Sequence, residues 1–154
     1  MWVGLTDDGL SGVTLHLVNE TAQALHGELE VTVHGTSGHE LARIRQPIEL
    51  RARQRESHSI AAWLDGFVDL AWAYRFGPPA VSLVHARLHG LGRRGVGDEA
   101  FFRPMATPTQ PGHDPALHVE LLAREGDDAQ LRIRADAFAD SVSISCDTHL
   151  PDDN

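Results

Sequence analysis

Alternating apolar and polar residues are the feature that most constrains the fold of this 154-residue chain. The segment Gly12–Asn19 reads GVTLHLVN, and the segment Gly27–His34 reads GELEVTVH. Successive side chains of a β-strand point to opposite faces of a sheet, so this period of two predicts strands with one buried face. The pattern returns along the chain between segments of turn-forming residues, which predicts an all-β protein.

A β-hairpin at Val68–Leu88 is the predicted centre of the fold. Its first half, Val68–Phe76, alternates large apolar residues with Asp, Ala and Arg. The Gly-Pro-Pro at 77–79 then interrupts the pattern, because proline cannot donate a hydrogen bond to a strand ladder. Trp72 and Tyr74 fall on the apolar face of this strand. We expect both in the core, since a buried Trp on an inner strand is typical of immunoglobulin-like sandwiches.

Two domains joined by a linker are predicted from the spacing of turns and prolines. Residues 1–104 are predicted to form an immunoglobulin-like antiparallel β-sandwich, because turn signals recur roughly every 8 to 12 residues. Residues 105–115 are predicted to be a Pro-rich linker, since the segment Pro104–Pro115 holds four prolines. Residues 116–154 contain three more alternating segments and predict an incomplete second β-sandwich, a three-stranded antiparallel meander. We expect this piece to be truncated and its open apolar face to favour self-association.

Charge and cysteine content exclude several classes of partner. The net charge is −9, with thirteen arginines and no lysine, which argues against a nucleic-acid-binding surface. The single cysteine, Cys146, cannot form an internal disulfide, which favours a reducing compartment and predicts a cytoplasmic location. No apolar run reaches the length that spans a membrane, and Met1-Trp2 opens no secretory signal, so we expect no membrane partner.

Motifs for catalysis and cofactor binding are weak in this sequence. Gly90–Gly95 matches G-x-G-x-x-G, but no helix pattern follows it, and we interpret it as a loop rather than a nucleotide site. Ten histidines lack a C-x-x-C or H-E-x-x-H arrangement, so no metal site is predicted. The carboxylates are not embedded in apolar runs that would raise a pKa. We therefore predict no catalytic residue, no cofactor and no metal in this chain.

Aromatic residues remain as the candidates for binding. Trp63, Trp72 and Tyr74 fit either a sugar-stacking platform or a buried core, and the core is favoured for Trp72 and Tyr74 because they share an apolar face. Trp63 and Trp2 are therefore the candidate sugar or interface contacts. The Asn-Glu-Thr at 19–21 matches a glycosylation sequon, which has a meaning only in a secreted protein.

Three segments resemble the C-terminal β-sandwich region of bacterial β-mannosidases in glycoside hydrolase family 2. They are Asp7–Val33 (DDGLSGVTLHLVNETAQALHGELEVTV), Val68–Pro79 (VDLAWAYRFGPP) and Leu150–Asn154 (LPDDN). The first is similar to the "GLNGL…HVVND" opening of the family's fourth domain, and the second is similar to the strand before that domain's last hairpin. The third resembles the start of the "P-S-D-N-Y/W-F" motif of the fifth domain.

The resemblance implies a non-catalytic accessory region. In that family the catalytic glutamates lie in a (β/α)₈ barrel upstream of the similar region, and nothing in this sequence matches the barrel. We therefore expect this chain to be a fragment of a glycoside hydrolase whose partner is the catalytic barrel. The fragment would support that barrel and so contribute to carbohydrate metabolism. The alternatives are a free-standing carbohydrate-binding module that uses Trp63 or Trp2 and a protein-interaction domain.

Overall fold

The computed structural model describes residues 1–90, 96–104, 114–139, 142–145 and 147. These residues form β-strands and two short 3₁₀ helices, and none of them lies in an α-helix, which confirms the all-β prediction. The chain divides into two compact units, Met1–Gln110 and Pro111–Asn154. Most of the predicted linker, residues 105–113, lies outside the described residues. Within the described ranges, no helix is long and apolar enough to cross a membrane.

Seven strands of the first unit form a β-sandwich of two antiparallel sheets. Their bounds are β1 (Trp2–Asp7), β2 (Val13–Val18), β3 (Leu25–Gly35), β4 (Glu40–Leu50), β5 (Arg55–Ser59), β6 (Val81–His89) and β7 (Val96–Phe102). Sheet A has the strand order β1-β2-β5, and sheet B has the order β4-β3-β6-β7. Every pair of neighbours is antiparallel. This arrangement of three strands on four is immunoglobulin-like, as the sequence predicts.

The core lies between the two sheets, because alternate residues of each strand point inward. The inward positions of β2, β3 and β6 supply most of its fully buried side chains: Val13, Leu15, Leu17, Leu29, Val31, Val33, Val84, Ala86 and Leu88. Removing this apolar surface from water is the main term that favours the folded state. The alternation in the sequence therefore matches the burial of these strands.

Asn19 is a buried polar residue that joins two connections between strands. Its side-chain amide donates to the carbonyl oxygens of Gln23 at 2.7 Å, Arg51 at 2.8 Å and Leu50 at 3.2 Å. Its Oδ1 accepts hydrogen bonds from the backbone N–H and the hydroxyl of Thr21. The Asn and Thr of the sequon thus bind each other and the backbone, which fixes the end of β2 against the end of β4.

The predicted strand at Val68–Phe76 is wrong. Residues 64–80 contain no strand, and β6 begins only at Val81. The carboxylate of Asp69 accepts hydrogen bonds from the backbone N–H groups of Ala73 and Tyr74, at 2.8 and 2.9 Å. A short acidic side chain that satisfies nearby N–H groups offers the backbone an alternative to a sheet ladder. Trp72 and Arg75 also have positive φ angles, of 54° and 56°, which no regular strand contains.

Strand β4 forms one edge of sheet B and is continuous over its eleven residues, Glu40–Leu50. Pro47 pairs with Glu28 of β3 and lies at the sheet edge, where its missing N–H costs no ladder bond. Strand β5 ends at Ser59, because a 3₁₀ helix (Ile60–Trp63) follows it.

The second unit contains one β-hairpin among its described residues. Strand β8 (Leu117–Glu125) pairs with β9 (Asp128–Ala135) across a turn at Gly126 and Asp127. The predicted third strand is wrong for residues 142–145, which are not in a strand, and residue 146 lies outside the described part. An alternating segment gains little stability by forming a strand when no described layer of structure covers its apolar face.

Candidate functional site

Two connections between strands meet at one end of the sandwich. Residues 8–12 join β1 to β2, and residues 60–80 carry the chain from β5 in sheet A to β6 in sheet B. The hydroxyl of Tyr74 donates to the carbonyl oxygen of Leu10 at 3.1 Å, which ties one connection to the other. A small cavity of about 110 Å³ lies between them, lined by residues of both, Leu10, Ala61 and Phe67 among them.

The longer connection is held in one conformation by its own contacts. Leu70 is fully buried in the core and anchors the segment to the sandwich. Beyond it, the indole Nε1 of Trp72 donates to the carbonyl oxygen of Gly77 at 2.9 Å. The guanidinium of Arg75 lies 5.6 Å from the centre of the Trp72 ring, a cation–π contact. Together with the turn at Asp69, these contacts fix the segment that follows Leu70, so that its exposed side chains face solvent.

Four large apolar side chains on these connections are exposed and form what we call the aromatic surface: Leu10, Phe67, Tyr74 and Phe76. Their exposed fractions are 67% for Leu10, 71% for Phe67, 39% for Tyr74 and 83% for Phe76. The Phe67 and Tyr74 rings meet edge to face at 5.2 Å, and the Tyr74 and Phe76 rings stack at 5.8 Å. A contiguous exposed apolar patch on a soluble domain commonly marks an interaction site.

A second, open concavity of about 450 Å³ borders this surface. Asp7, Leu10, Trp72 and Arg75 are among its lining residues. Two of its polar groups have partners within the chain, since Asp7 Oδ1 accepts from the Gly9 N–H at 2.8 Å and Trp72 donates to Gly77. The guanidinium of Arg75 also covers one face of the Trp72 ring.

Trp63 and Trp2, the two residues singled out from the sequence, lie on opposite sides of sheet A. Trp63 ends the 3₁₀ helix, is half-buried against the core, and packs on the His58 ring at 5.2 Å. Trp2 points outward from β1, is 48% exposed, and lies over Gly4. The structure therefore does not bring the two residues together into one site.

Trp72 and Tyr74, predicted to be in the core, are not part of it. Trp72 is half-buried and Tyr74 is exposed, because the segment that carries them is a turn rather than a strand. Sequence reasoning also missed Phe67 and Phe76 as exposed aromatic residues. Asp69 was the available signal, since an Asp side chain often hydrogen-bonds nearby backbone N–H groups and starts a turn, even within an alternating segment.

Sheet B carries charges on its outer face, but they pair with one another. Arg45 and Arg43 bind Glu30, at 2.7 and 3.1 Å. Burial would raise the pKa of Glu30, but the hydrogen bond from Arg45 and the charge of Arg43 hold it below its ordinary value. Glu99 accepts from Arg87 in the same way, at 3.0 Å. Both carboxylates are therefore paired with arginine side chains on this face of the sheet.

No metal centre is present in the described part of the chain, where no three His, Cys, Asp or Glu residues group closely enough to hold an ion. Of the G-x-G-x-x-G segment, residues 91–95 lie outside the described residues, as does the Leu150–Asn154 segment. No protein-family model matches this sequence, and no curated protein is significantly similar to it.

Proposed function

We propose that this chain is a non-catalytic accessory β-sandwich segment of a β-mannosidase-like glycoside hydrolase, and that its aromatic surface binds the catalytic (β/α)₈ barrel of that enzyme. The aromatic surface is the observation that carries the proposal. The resemblance of Asp7–Val33 and Val68–Pro79 to the accessory region of that family supports the choice of partner.

The aromatic surface has the physical character of an interface rather than of a loosened core. Tyr74 contacts both Phe67 and Phe76, and the Tyr74 hydroxyl has its own backbone partner. Their geometry is therefore set before any partner binds, so association costs little side-chain entropy. Asp65 and Arg75 are exposed and close in sequence to Phe67, Tyr74 and Phe76, so charged residues accompany the apolar ones in this segment.

Replacing Phe67 and Phe76 together with serine is expected to weaken binding to the separately expressed barrel at least about 100-fold. Buried aromatic anchors at interfaces commonly contribute 2 kcal/mol or more each, and about 1.4 kcal/mol corresponds to a factor of ten. Both side chains are largely exposed in the isolated chain, so the variant should unfold at the same denaturant concentration as the wild type. Isothermal titration calorimetry measures the binding.

Phe101→Ser is the matched control, because Phe101 is also an exposed aromatic residue but lies on the outer face of sheet B against His85. The control variant should bind the barrel as the wild type does. An equal loss of affinity in the double variant and in Phe101→Ser would show that binding does not depend on the aromatic surface in particular. That result, or no binding by the wild-type chain, would contradict the proposed docking.

A second candidate function, self-association, is favoured by the second unit. One face of the β8–β9 hairpin pairs Leu121 with Leu131 and Val119 with Ile133, and Val119 and Leu121 are more than half exposed. Burying such a face against a second copy would remove apolar surface from water. Sedimentation equilibrium should then show a dimer that Val119→Asp converts to monomer, whereas a monomeric wild-type chain would contradict this candidate.

A further inference from the structure

Trp2 forms a flat platform on the outer face of sheet A. Its benzo ring lies over Gly4, two residues along β1, and a Cβ added at Gly4 would overlap the ring carbons Cη2 and Cζ2. Gly4 is buried beneath the ring, while Trp2 keeps 48% of its surface exposed. One side of the indole therefore packs on the sheet, and the other side faces solvent.

A row of polar side chains runs across the sheet beside this platform. His16 of β2 pairs with Gly4 of β1 and with Ser57 of β5, so its side chain points outward next to the Trp2 ring. The His16 ring is held between two hydroxyls, with Nε2 2.8 Å from Thr6 Oγ1 and Nδ1 2.8 Å from Ser57 Oγ. The imidazole therefore has a fixed orientation.

The hydrogen bonds of this row leave groups of both kinds for a ligand. A neutral imidazole donates from one ring nitrogen and accepts at the other. One of the two hydroxyls, of Thr6 or Ser57, therefore accepts from His16 and keeps its own proton to donate outward. The other hydroxyl donates to His16 and keeps its lone pairs to accept. The row thus presents a donor and an acceptor side by side.

We propose that this face binds a neutral saccharide, with a pyranose ring stacked on the exposed side of Trp2 and its hydroxyls bonded to Thr6 and Ser57. The C–H groups of a pyranose carry a slight positive charge and suit the negative face of an indole. Adjacent sugar hydroxyls both donate and accept, as the Thr6–His16–Ser57 row does. The site is on a different surface from Phe67 and Phe76, and it does not depend on docking to a barrel.

The chemistry of this face favours a neutral sugar over other ligands. Thr6, His16 and Ser57 lie beside the platform, and Arg55, in register with Trp2 across Val18, is the one arginine on the three strands of sheet A, so this face lacks the cluster of Arg that a phosphate or nucleic acid requires. The Trp2 ring is also backed by glycine backbone instead of a second ring, so it does not form an aromatic cage for a cation. A rigid flat ring with hydroxyl partners on a neighbouring strand matches a polyol of fixed ring shape.

Isothermal titration with mannohexaose, cellohexaose and xylohexaose tests the site on the full chain. We expect saturable heat at millimolar ligand for at least one of the three, and no detectable heat with Trp2→Ala. Gly4→Ala should weaken binding at least about tenfold, because the added Cβ displaces the Trp2 ring without introducing a polar group. Ser57→Ala should weaken it about fivefold, the usual loss for one hydrogen bond.

Phe76→Ala is the matched control, since it removes an exposed aromatic ring from the aromatic surface instead. It should leave saccharide binding unchanged while weakening docking, so failure of one proposal is distinguishable from failure of the other. Circular dichroism checks that each variant folds, and Trp2→Phe, which keeps an aromatic ring, should retain part of the affinity. No heat with any of the three sugars, or equal affinity of Trp2→Ala and wild type, would overturn the saccharide site.

Discussion

Asn19→Ala is expected to lower the free energy of unfolding by about 3 kcal/mol. The substitution leaves the carbonyl oxygens of Gln23, Leu50 and Arg51 without the amide that binds them, and Thr21 loses its acceptor. Each buried polar group left unsatisfied costs roughly 1–3 kcal/mol, although water reaches the more open of these groups. Urea unfolding followed by tryptophan fluorescence measures the change.

Gln23→Ala is the control for this prediction, because Gln23 is exposed and contacts Asn19 only through its backbone carbonyl. It should change the free energy of unfolding by less than about 0.5 kcal/mol, as surface substitutions usually do. If Asn19→Ala were no more destabilising than Gln23→Ala, the hydrogen bonds of Asn19 would not hold the two connections together.

Leu70→Ala should destabilise the first unit by about 2–5 kcal/mol, the range for truncating a buried leucine. Leu70 is completely buried, whereas the neighbouring residues of segment 64–80 are half-buried or exposed. We expect the aromatic surface to lose its fixed geometry at the same time, since this anchor lies between Phe67 and Tyr74 in the chain. Thermal unfolding measures the stability, and limited proteolysis of residues 64–80 measures the loss of local order.

Phe76→Ala provides the comparison for Leu70, because a regular strand over Val68–Phe76 would bury both side chains on one face. In the observed turn Phe76 is 83% exposed, so its truncation should change stability by less than about 0.5 kcal/mol. A large loss of stability in Phe76→Ala would favour the strand over the turn.

The sequence predicts a strand well where its alternating residues are also alternately buried and exposed in the sheet. In β2 and β3, inward residues such as Leu15 and Val31 alternate with outward residues such as Thr14 and Glu30. Here the period of two coincides with a strand that has partners on both sides. Local alternation and global packing agree, so the pattern alone is sufficient.

The segment Val68–Phe76 has an equally regular pattern and yet forms a turn. The capture of the Ala73 and Tyr74 N–H groups by Asp69 depends on backbone angles that hydropathy does not report. The positive φ of Trp72 and Arg75 is equally invisible in composition, because neither residue is one of those that favour this conformation. The aromatic surface therefore could not be foreseen from the pattern of apolar residues.

The proposed saccharide site depends on residues that are far apart in the sequence. Trp2 stands out as a candidate contact in the sequence, but Gly4, His16 and Ser57 acquire a role only through strand register. His16 meets Gly4 and Ser57 because β2 lies between β1 and β5, and Ser57 is far from both along the chain. Residues so far apart in the sequence could be recognised as one row only once the order of the strands in the sheet was known.

Hydroxyl-radical footprinting of the chain with and without the catalytic barrel tests the central claim most directly. Oxidation of an aromatic side chain depends on its exposure, so each ring of the aromatic surface reports its own burial. We expect Phe67, Tyr74 and Phe76 to become protected when the barrel is added, while Phe101 on sheet B keeps its oxidation rate. Unchanged oxidation of the three rings, or protection confined to Phe101, would contradict the account.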